Sequence, residues 1–511
     1  MKKTFALLAL IATTLLAACG GGLTGNAPVP HTNPGTGPAT APTPPGGAIL
    51  VGVGDSLTFG EQSDGSLGIP TTSSVSAYPG GLVPPGQGNG FFADFYDCLV
   101  STGATCTHTA VVSSVPSNPS LAVLPLINAP GLGTQLVLNA STLLANTQGG
   151  CTAFNNAAWG ETTWQQTRIN ATTGIADLGV PGITMHEAVA MTDPYTGPPP
   201  ASTCEYKSIP GDPTAGGLQS LVESENQLFL PVLGEFQPAY GSNTTMINVA
   251  AGMSPKITTV WLGANDLLKY IFSAGTAPTS DTPQQMATDL TTIVKKLVAS
   301  GSKVLVADLP TLMPTTGQSV PQFFAQKSLA GDFTYLIEVF SKGTIPDETA
   351  YTYAQGMTAA IGTNFGVTAG GYLTESGFLA AAEQGIALIE ADPTDPNFSA
   401  IELDSGTPVV KGSGLGVAYL TPAFAAQVQT LNAAYNQAID EVASNSGSSV
   451  ALVPISELFQ AASASGVAVP GWGTFTLQFG GGLVCWDGLH PSNTGYAVIA
   501  NAFIQTANTA F

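Results

Sequence analysis

Four short stretches of this 511-residue chain hold side chains whose types and spacing suit chemistry. The first, Gly54-Asp55-Ser56-Leu57, directly follows an apolar run, Ala48-Ile49-Leu50-Val51-Gly52-Val53. A serine on a tight strand-to-helix turn projects its hydroxyl beyond the end of the strand. Its own N–H can point the same way, at the positive end of the helix. Such a placement suits nucleophilic attack beside an anion-binding N–H, although a Ser or Asp here can equally cap the helix. The second stretch is Gly179-Val180-Pro181-Gly182-Ile183-Thr184. The third, Gly263-Ala264-Asn265-Asp266, again closes an apolar run, Ile257 to Leu262. The fourth, Cys485-Trp486-Asp487-Gly488-Leu489-His490-Pro491-Ser492, carries a carboxylate and an imidazole three residues apart, close enough for one tight loop to hold both.

Runs that are apolar on both faces predict buried parallel strands: 48–53, 257–262, 304–307 and 450–453. Between them lie amphipathic helical patterns. Over Pro283 to Ser300 the residues Met286, Leu290, Ile293, Val294, Leu297 and Val298 share one face, and Gly301 follows as a natural stop. Thr421-Pro422 opens another pattern, which carries Phe424, Val428, Leu431, Tyr435, Ile439 and Val442 on one stripe to Ser444. A last one runs from Thr494 to Ala507. Strands alternating with helices predict an α/β fold in which helices cover both faces of a parallel sheet. These elements fill about one domain. The remainder reads as insertions at about 64–175, 195–255 and 310–415, rich in Gly, Pro, Ser and Thr, with aromatic islands such as Phe323-Phe324 and Tyr351 to Tyr353.

In order and relative position, the four stretches resemble the signature blocks of the SGNH/GDSL hydrolase superfamily. The resemblance covers the strands and helices from about residue 48 to the C-terminus and leaves the insertions out. It implies a three-layer α/β sandwich with a central parallel sheet, the flavodoxin-like SGNH hydrolase fold. It also implies that Ser56 is the nucleophile, His490 the general base and Asp487 the residue that orients the imidazole. The N–H groups of Ser56 and Gly182, with the side-chain amide of Asn265, would form the oxyanion hole. Asp55 and Asp266 are expected to brace their loops. The histidine content agrees with the assignment: His31 lies in an N-terminal tether and His108 in an insertion, while His186 follows the Gly182 turn and would flank the pocket. Cys485 has no cationic neighbour in sequence to activate it, and reads as a small buried hydrophobe rather than a rival nucleophile.

The implied activity is ester hydrolysis through an acyl-enzyme, on a lipid or small-molecule ester, with no metal or organic cofactor. Two alternatives stand beside it: a carbohydrate or peptidoglycan O-acetyl esterase, and an inactive, surface-anchored binding or adhesion module. The 310–415 insertion would serve as a lid or an apolar acyl pocket, or its aromatics as ordinary core.

Composition excludes other classes. Charged residues make up 9% of the chain and the net charge is −21, Arg168 is the single arginine, and no run of basic residues is present to neutralise a nucleic-acid backbone. A hydrophobic fraction of 44% excludes wholesale disorder. At the N-terminus Lys2 and Lys3 precede an uncharged apolar stretch, Phe5 to Ala18, too short for a comfortable membrane span. The ending Leu16-Ala17-Ala18-Cys19 resembles a bacterial lipobox. The expectation is a signal peptide over 1–18, lipidation of Cys19, a Gly/Pro/Thr-rich tether over 19–47 and the hydrolase domain over 48–511. Gly20 in the next position suggests the outer membrane in a Gram-negative host. Loss of Lys2 and Lys3 leaves 10 basic against 33 acidic residues, a charge of −23. Anionic lipid headgroups would therefore not attract the mature chain, and the anchor or apolar contacts must supply proximity to a membrane. An exported chain makes disulfides plausible. Cys98–Cys106 and Cys151–Cys204 are the expected pairs, leaving Cys485 as a thiol, although sequence does not determine connectivity. The absence of any C-x-x-C pair argues against a zinc site.

Overall fold

The structure, a computed structural model, describes residues 48–60, 88–102, 124, 174–192, 232–272, 275, 282–313, 323–324, 326–341, 344–367, 370–403, 418–469, 473–477, 481–485 and 489–511. Cys19 and its flanking leader and tether, His31, Cys106, His108, Cys151, Cys204 and Asp487 lie outside them.

The apolar runs form a parallel sheet of four strands: β1 (Leu50–Gly54), β2 (Ile257–Trp261), β3 (Lys303–Ala307) and, at the far edge, Val450–Val453. Leu50 pairs with Ile257, Ile257 with Lys303, and Val304 with Val450. On the open side of β1, residues 176–180 run parallel to it. Gly52 N donates to Ala176 O at 2.8 Å, Leu178 N to Gly52 O at 2.9 Å, and Val180 N to Gly54 O at 3.1 Å. Ile175, Ala176, Leu178 and Val180 are all buried.

Helices cover both faces. They comprise α1 (Ser56–Phe59), α2 (Phe91–Thr102), α3 (Met185–Ala190), α4 (Met246–Gly252), α5 (Ala264–Phe272) and α6 (Pro283–Ala299) in the first half of the domain. One face of the sheet carries α2 and the C-terminal helix, Asn493–Ala510; the other carries α4, α6 and the long helix Pro422–Asn445. Alternation along the strands decides which residues meet which layer. Trp261 at the end of β2 meets Phe91 of α2 edge-on at 5.4 Å, and Phe91 stacks on Phe503 of the C-terminal helix at 4.7 Å. Beside them, a Cβ on Gly54 would lie 1.8 Å from Thr58 Oγ1 and 2.9 Å from the Trp261 carbonyl oxygen. Only glycine lets α1 fold back so tightly onto the end of β1.

The helix boundaries follow the caps. Thr282 accepts from Gln285 N at the start of α6. At its end Gly301 (φ 94°) closes a Schellman motif, with Gly301 N donating to Val298 O and Ser302 N to Leu297 O. Thr421 and Ser492 cap their helices through Phe424 N and Gly495 N.

The stretches read as insertions contain more regular structure than their composition suggests. The first includes α2, whose Phe91, Phe92 and Phe95 are core residues, and the second includes α4, which packs on β1. The third builds a core of its own from α7 (Gln326–Ser341), α8 (Asp347–Phe365) and α9 (Glu375–Ala391). Beside these helices lies a small antiparallel sheet of β4 (Phe323–Phe324), β5 (Tyr372–Thr374) and β6 (Tyr419–Leu420). Phe333 and Phe378 stack there at 4.7 Å, and Tyr353 donates to Pro393 O at 2.6 Å, so these aromatics are core and bracing groups. The second core joins the first through Tyr372 and Leu420, which pack with the residues around the main sheet. Completing the numbering are α10 (Pro422–Asn445), β7 (Val450–Val453), α11 (Ile455–Ser465), the hairpin of β8 (Val467–Val469) and β9 (Gly473–Phe475), and α12 (Asn493–Ala510). Among the described residues no helix is long and apolar enough to cross a membrane.

Cys98 of α2 is disulfide-bonded. On the same helix, burial, reinforced by Asp97, pushes the Asp94 carboxyl up to about 7. A carboxyl raised in the folded state holds its proton more tightly there than in the unfolded chain. Its favourable contribution is complete below the unfolded value of 3.8 and is lost as pH rises through about 7. Asp94→Asn should therefore flatten the fall in stability between pH 4 and 8, where ionisation costs up to about 4 kcal/mol. Thermal melts at pH 3 and pH 8 check this: the variant should match wild type at pH 3 and melt a few degrees higher at pH 8.

Candidate active site

The first strand ends in a one-turn helix, and its cap decides where Ser56 sits. Asp55 Oδ1 accepts from Leu57 N at 3.0 Å, and Gly60 (φ 78°) ends the turn by donating to Ser56 O. The cap takes the N–H of Leu57, so that of Ser56 is not used by it. Ser56 Oγ lies 2.9 Å from Nε2 of His490, a residue 434 positions away in sequence and 5% exposed.

A closed loop delivers that histidine. Cys485 N donates to His490 O at 2.8 Å, Val484 and Pro491 form an antiparallel bridge, and Ser492 N donates to Leu483 O at 3.0 Å. Ser492 also caps α12 and donates its hydroxyl to Gly482 O at 2.6 Å, which fixes the loop to the start of the helix. The Cys485 thiol is turned to the Pro491 carbonyl at 3.2 Å, a contact that suits packing rather than attack. Asp487, expected to orient the imidazole, lies outside the described residues.

The Gly182 stretch forms a turn beside β1. Ile183 N donates to Val180 O at 3.2 Å, with Pro181 and then Gly182 (φ 87°) between them, the pattern of a type II turn. That bond uses the N–H of Ile183 and leaves the Gly182 N–H outside the turn's own pairing. Because Val180 N is bonded to Gly54 O, Ser56 and Gly182 each lie two residues beyond one shared ladder contact.

Asn265, on the first turn of α5 and 2% exposed, ties the two stretches together. Its Nδ2 donates to Ile183 O at 3.1 Å and to Asp55 Oδ2 at 3.3 Å. Both amide hydrogens are thus engaged in the resting geometry. Asp266 Oδ2 accepts from Met185 N at 3.0 Å, so Asp55 and Asp266 both brace loops. His186, just beyond, pairs through Nδ1 with Asp289 Oδ2 at 3.0 Å, and Asp289 Oδ1 accepts from Gln285 Nε2. The structure therefore brings together Ser56, His490, Asn265 and the Gly182 turn, and gives His186 a carboxylate partner on α6.

Three buried groups escaped sequence reasoning. Glu187 and Lys269 form an ion pair with Nζ 3.0 Å from both carboxylate oxygens. Thr184-x-x-Glu187 was legible as a capping box, since Thr184 and Glu187 satisfy each other's backbone N–H. Nothing in the sequence pointed to Lys269 as its partner. Asp177 accepts from Gly179 N at 2.9 Å in a local Asx turn, and burial pushes its carboxyl well above the usual range. Among the described residues no cluster of His, Cys, Asp or Glu has the arrangement of a metal site.

No family model, curated protein or solved structure matches the chain.

Removing the Asn265 amide leaves two buried acceptors, Asp55 Oδ2 and Ile183 O, without this donor. Asn265→Ala should lower stability by about 1–3 kcal/mol. Asn265→Asp should lower it further, because it sets a second carboxylate against Asp55. Urea unfolding at pH 7 measures both.

Proposed function

We propose that the protein is a serine ester hydrolase of the SGNH type. The observation that carries this reading is the 2.9 Å contact between Ser56 Oγ and His490 Nε2 at the carboxyl end of β1. Topology supports it. Counting the 176–180 stretch as a strand, the spatial order in chain sequence is 2-1-3-4-5, the flavodoxin-like arrangement. In that order the crevice opens outside the carboxyl ends of the two strands where the winding reverses, here β1 and β2. Ser56 and Asn265 follow those two strands.

In the proposed reaction His490 Nε2 accepts the Ser56 proton as Oγ bonds to the ester carbonyl carbon. The carbonyl electron pair moves onto oxygen. The N–H groups of Ser56 and Gly182 receive the resulting oxyanion, and Asn265 adds a third donor by releasing its longer bond, the one to Asp55. His490 then protonates the departing alkoxide, leaving an acyl-enzyme on Ser56. A water molecule, deprotonated by the same nitrogen, repeats the sequence and releases the acid. Asp487 is proposed to hold the imidazole in the tautomer that presents an unprotonated Nε2 to Ser56. Upstream, Cys19 is proposed to carry a lipid anchor that keeps the enzyme on the cell envelope.

Purified protein should hydrolyse p-nitrophenyl acetate or butyrate, and Ser56→Ala should lower kcat at least about a thousandfold. Equal turnover by the variant rules the assignment out. Because the base must be unprotonated, kcat/KM should rise with pH to a plateau in wild type. A panel of acyl chain lengths and acetylated glycans then separates lipid from sugar esters.

A further inference from the structure

The Lys269–Glu187 pair stands outside the reaction just described, yet it is among the least exposed charges in the described chain. The Lys269 side chain is 1% exposed and that of Glu187 8%. Burying an ammonium and a carboxylate costs several kcal/mol each, and apolar side chains of similar volume commonly fill such a site with equal stability. Stability is therefore a weak reason for these charges, and their geometry suggests another. Lys269 lies one helical turn after Asn265, so both side chains project from the same face of α5. Three polar contacts run from this helix to residues 183–187: Asn265 Nδ2 to Ile183 O, Asp266 Oδ2 from Met185 N, and Lys269 Nζ to both oxygens of Glu187. Glu187 is itself shared, because its Oε2 also accepts from Thr184 N at 2.8 Å. Thr184 Oγ1 in turn accepts from Glu187 N.

We propose that Lys269 is a positioning residue that, through Glu187 and the Thr184 capping box, holds the Pro181-Gly182-Ile183 turn against Asn265. One buried ion pair thereby sets two of the three oxyanion donors: the Gly182 N–H and the Asn265 amide. Ser56 and His490 approach from β1 and the C-terminal loop, and the link from the pair to Ser56 is indirect, running through Asn265 and the Asp55 cap. The proposal rests on the esterase reading for its effect on rate, but not for its effect on the turn.

Lys269→Met keeps the length of the side chain and removes its charge. The full chain carrying it should lose about tenfold to a hundredfold in kcat with KM within twofold of wild type, because a displaced donor weakens only the transition state. Backbone amides of residues 178–187 should exchange hydrogen for deuterium faster. The double variant Lys269→Met/Glu187→Gln removes both charges and keeps an acceptor for Thr184 N, and should recover kcat to within about fivefold. The proposal is overturned if Lys269→Met leaves kcat and exchange unchanged. It is equally overturned if kcat, KM and melting temperature all worsen together and the double variant recovers nothing, which marks general loss of fold. Should the wild-type protein hydrolyse no ester, the esterase reading fails, and the exchange rates at 178–187 still decide whether the pair holds the turn.

Discussion

Under the proposed reading the Gly182 turn receives an oxyanion, so it must keep a backbone N–H outside its own hydrogen bonding, and a buried N–H in that condition is costly. The turn at Gly182 meets this constraint with rigidity supplied from outside. Its own bond closes on Ile183, its upstream end is laddered to Gly54, and its downstream end is gripped by α5 through Asn265, Asp266 and Lys269. The Asn265 amide is the centre of this arrangement, because it reaches both the Ile183 carbonyl and the Asp55 carboxylate that caps the Ser56 turn. Three segments from three parts of the chain are thereby locked in one geometry.

The sheet makes that convergence possible. Parallel strands bring their carboxyl ends to one rim, so the turns after β1 and β2 and the 176–180 stretch are neighbours without any long-range design of their own. Close approach at Gly54 draws α1 down onto the strand, and the aromatic stack of Phe91, Trp261 and Phe503 supports the rim from one face. His490 enters from a different direction, at the mouth of a loop closed by its own carbonyl and anchored to the cap of α12. Proximity of Ser56 and His490 therefore depends on α12 packing against α2 and the sheet.

The second core shows a different use of sequence. On α8, Ala350, Ala354, Met357 and Ile361 face inward, and small residues do much of the packing. Gly385 of α9 leaves room for Met357, whose Cε would lie 2.2 Å from an added Cβ. Alanine and glycine carry little hydrophobic signal, so a stretch that packs by close approach resembles a loop in composition.

Much of the main scaffold was legible because the rules involved are local. The apolar runs expected at 257–262 and 450–453, the Thr-Pro opening of α10 and the Gly301 stop of α6 each depend on a few adjacent residues, and each element lies within a residue or two of its expected bounds. Ser56, Gly182, Asn265 and His490 could be singled out by their motifs, and the sequence alone determined which residue types were on offer at which strand ends. It left open which of them meet. The contact between Ser56 and His490, the engagement of both Asn265 hydrogens, and the choice of Lys269 as partner for Glu187 were decided by tertiary structure. Their partners lie 82 to 434 positions apart, and only the packing of helices on a sheet turns such separations into hydrogen-bond distances.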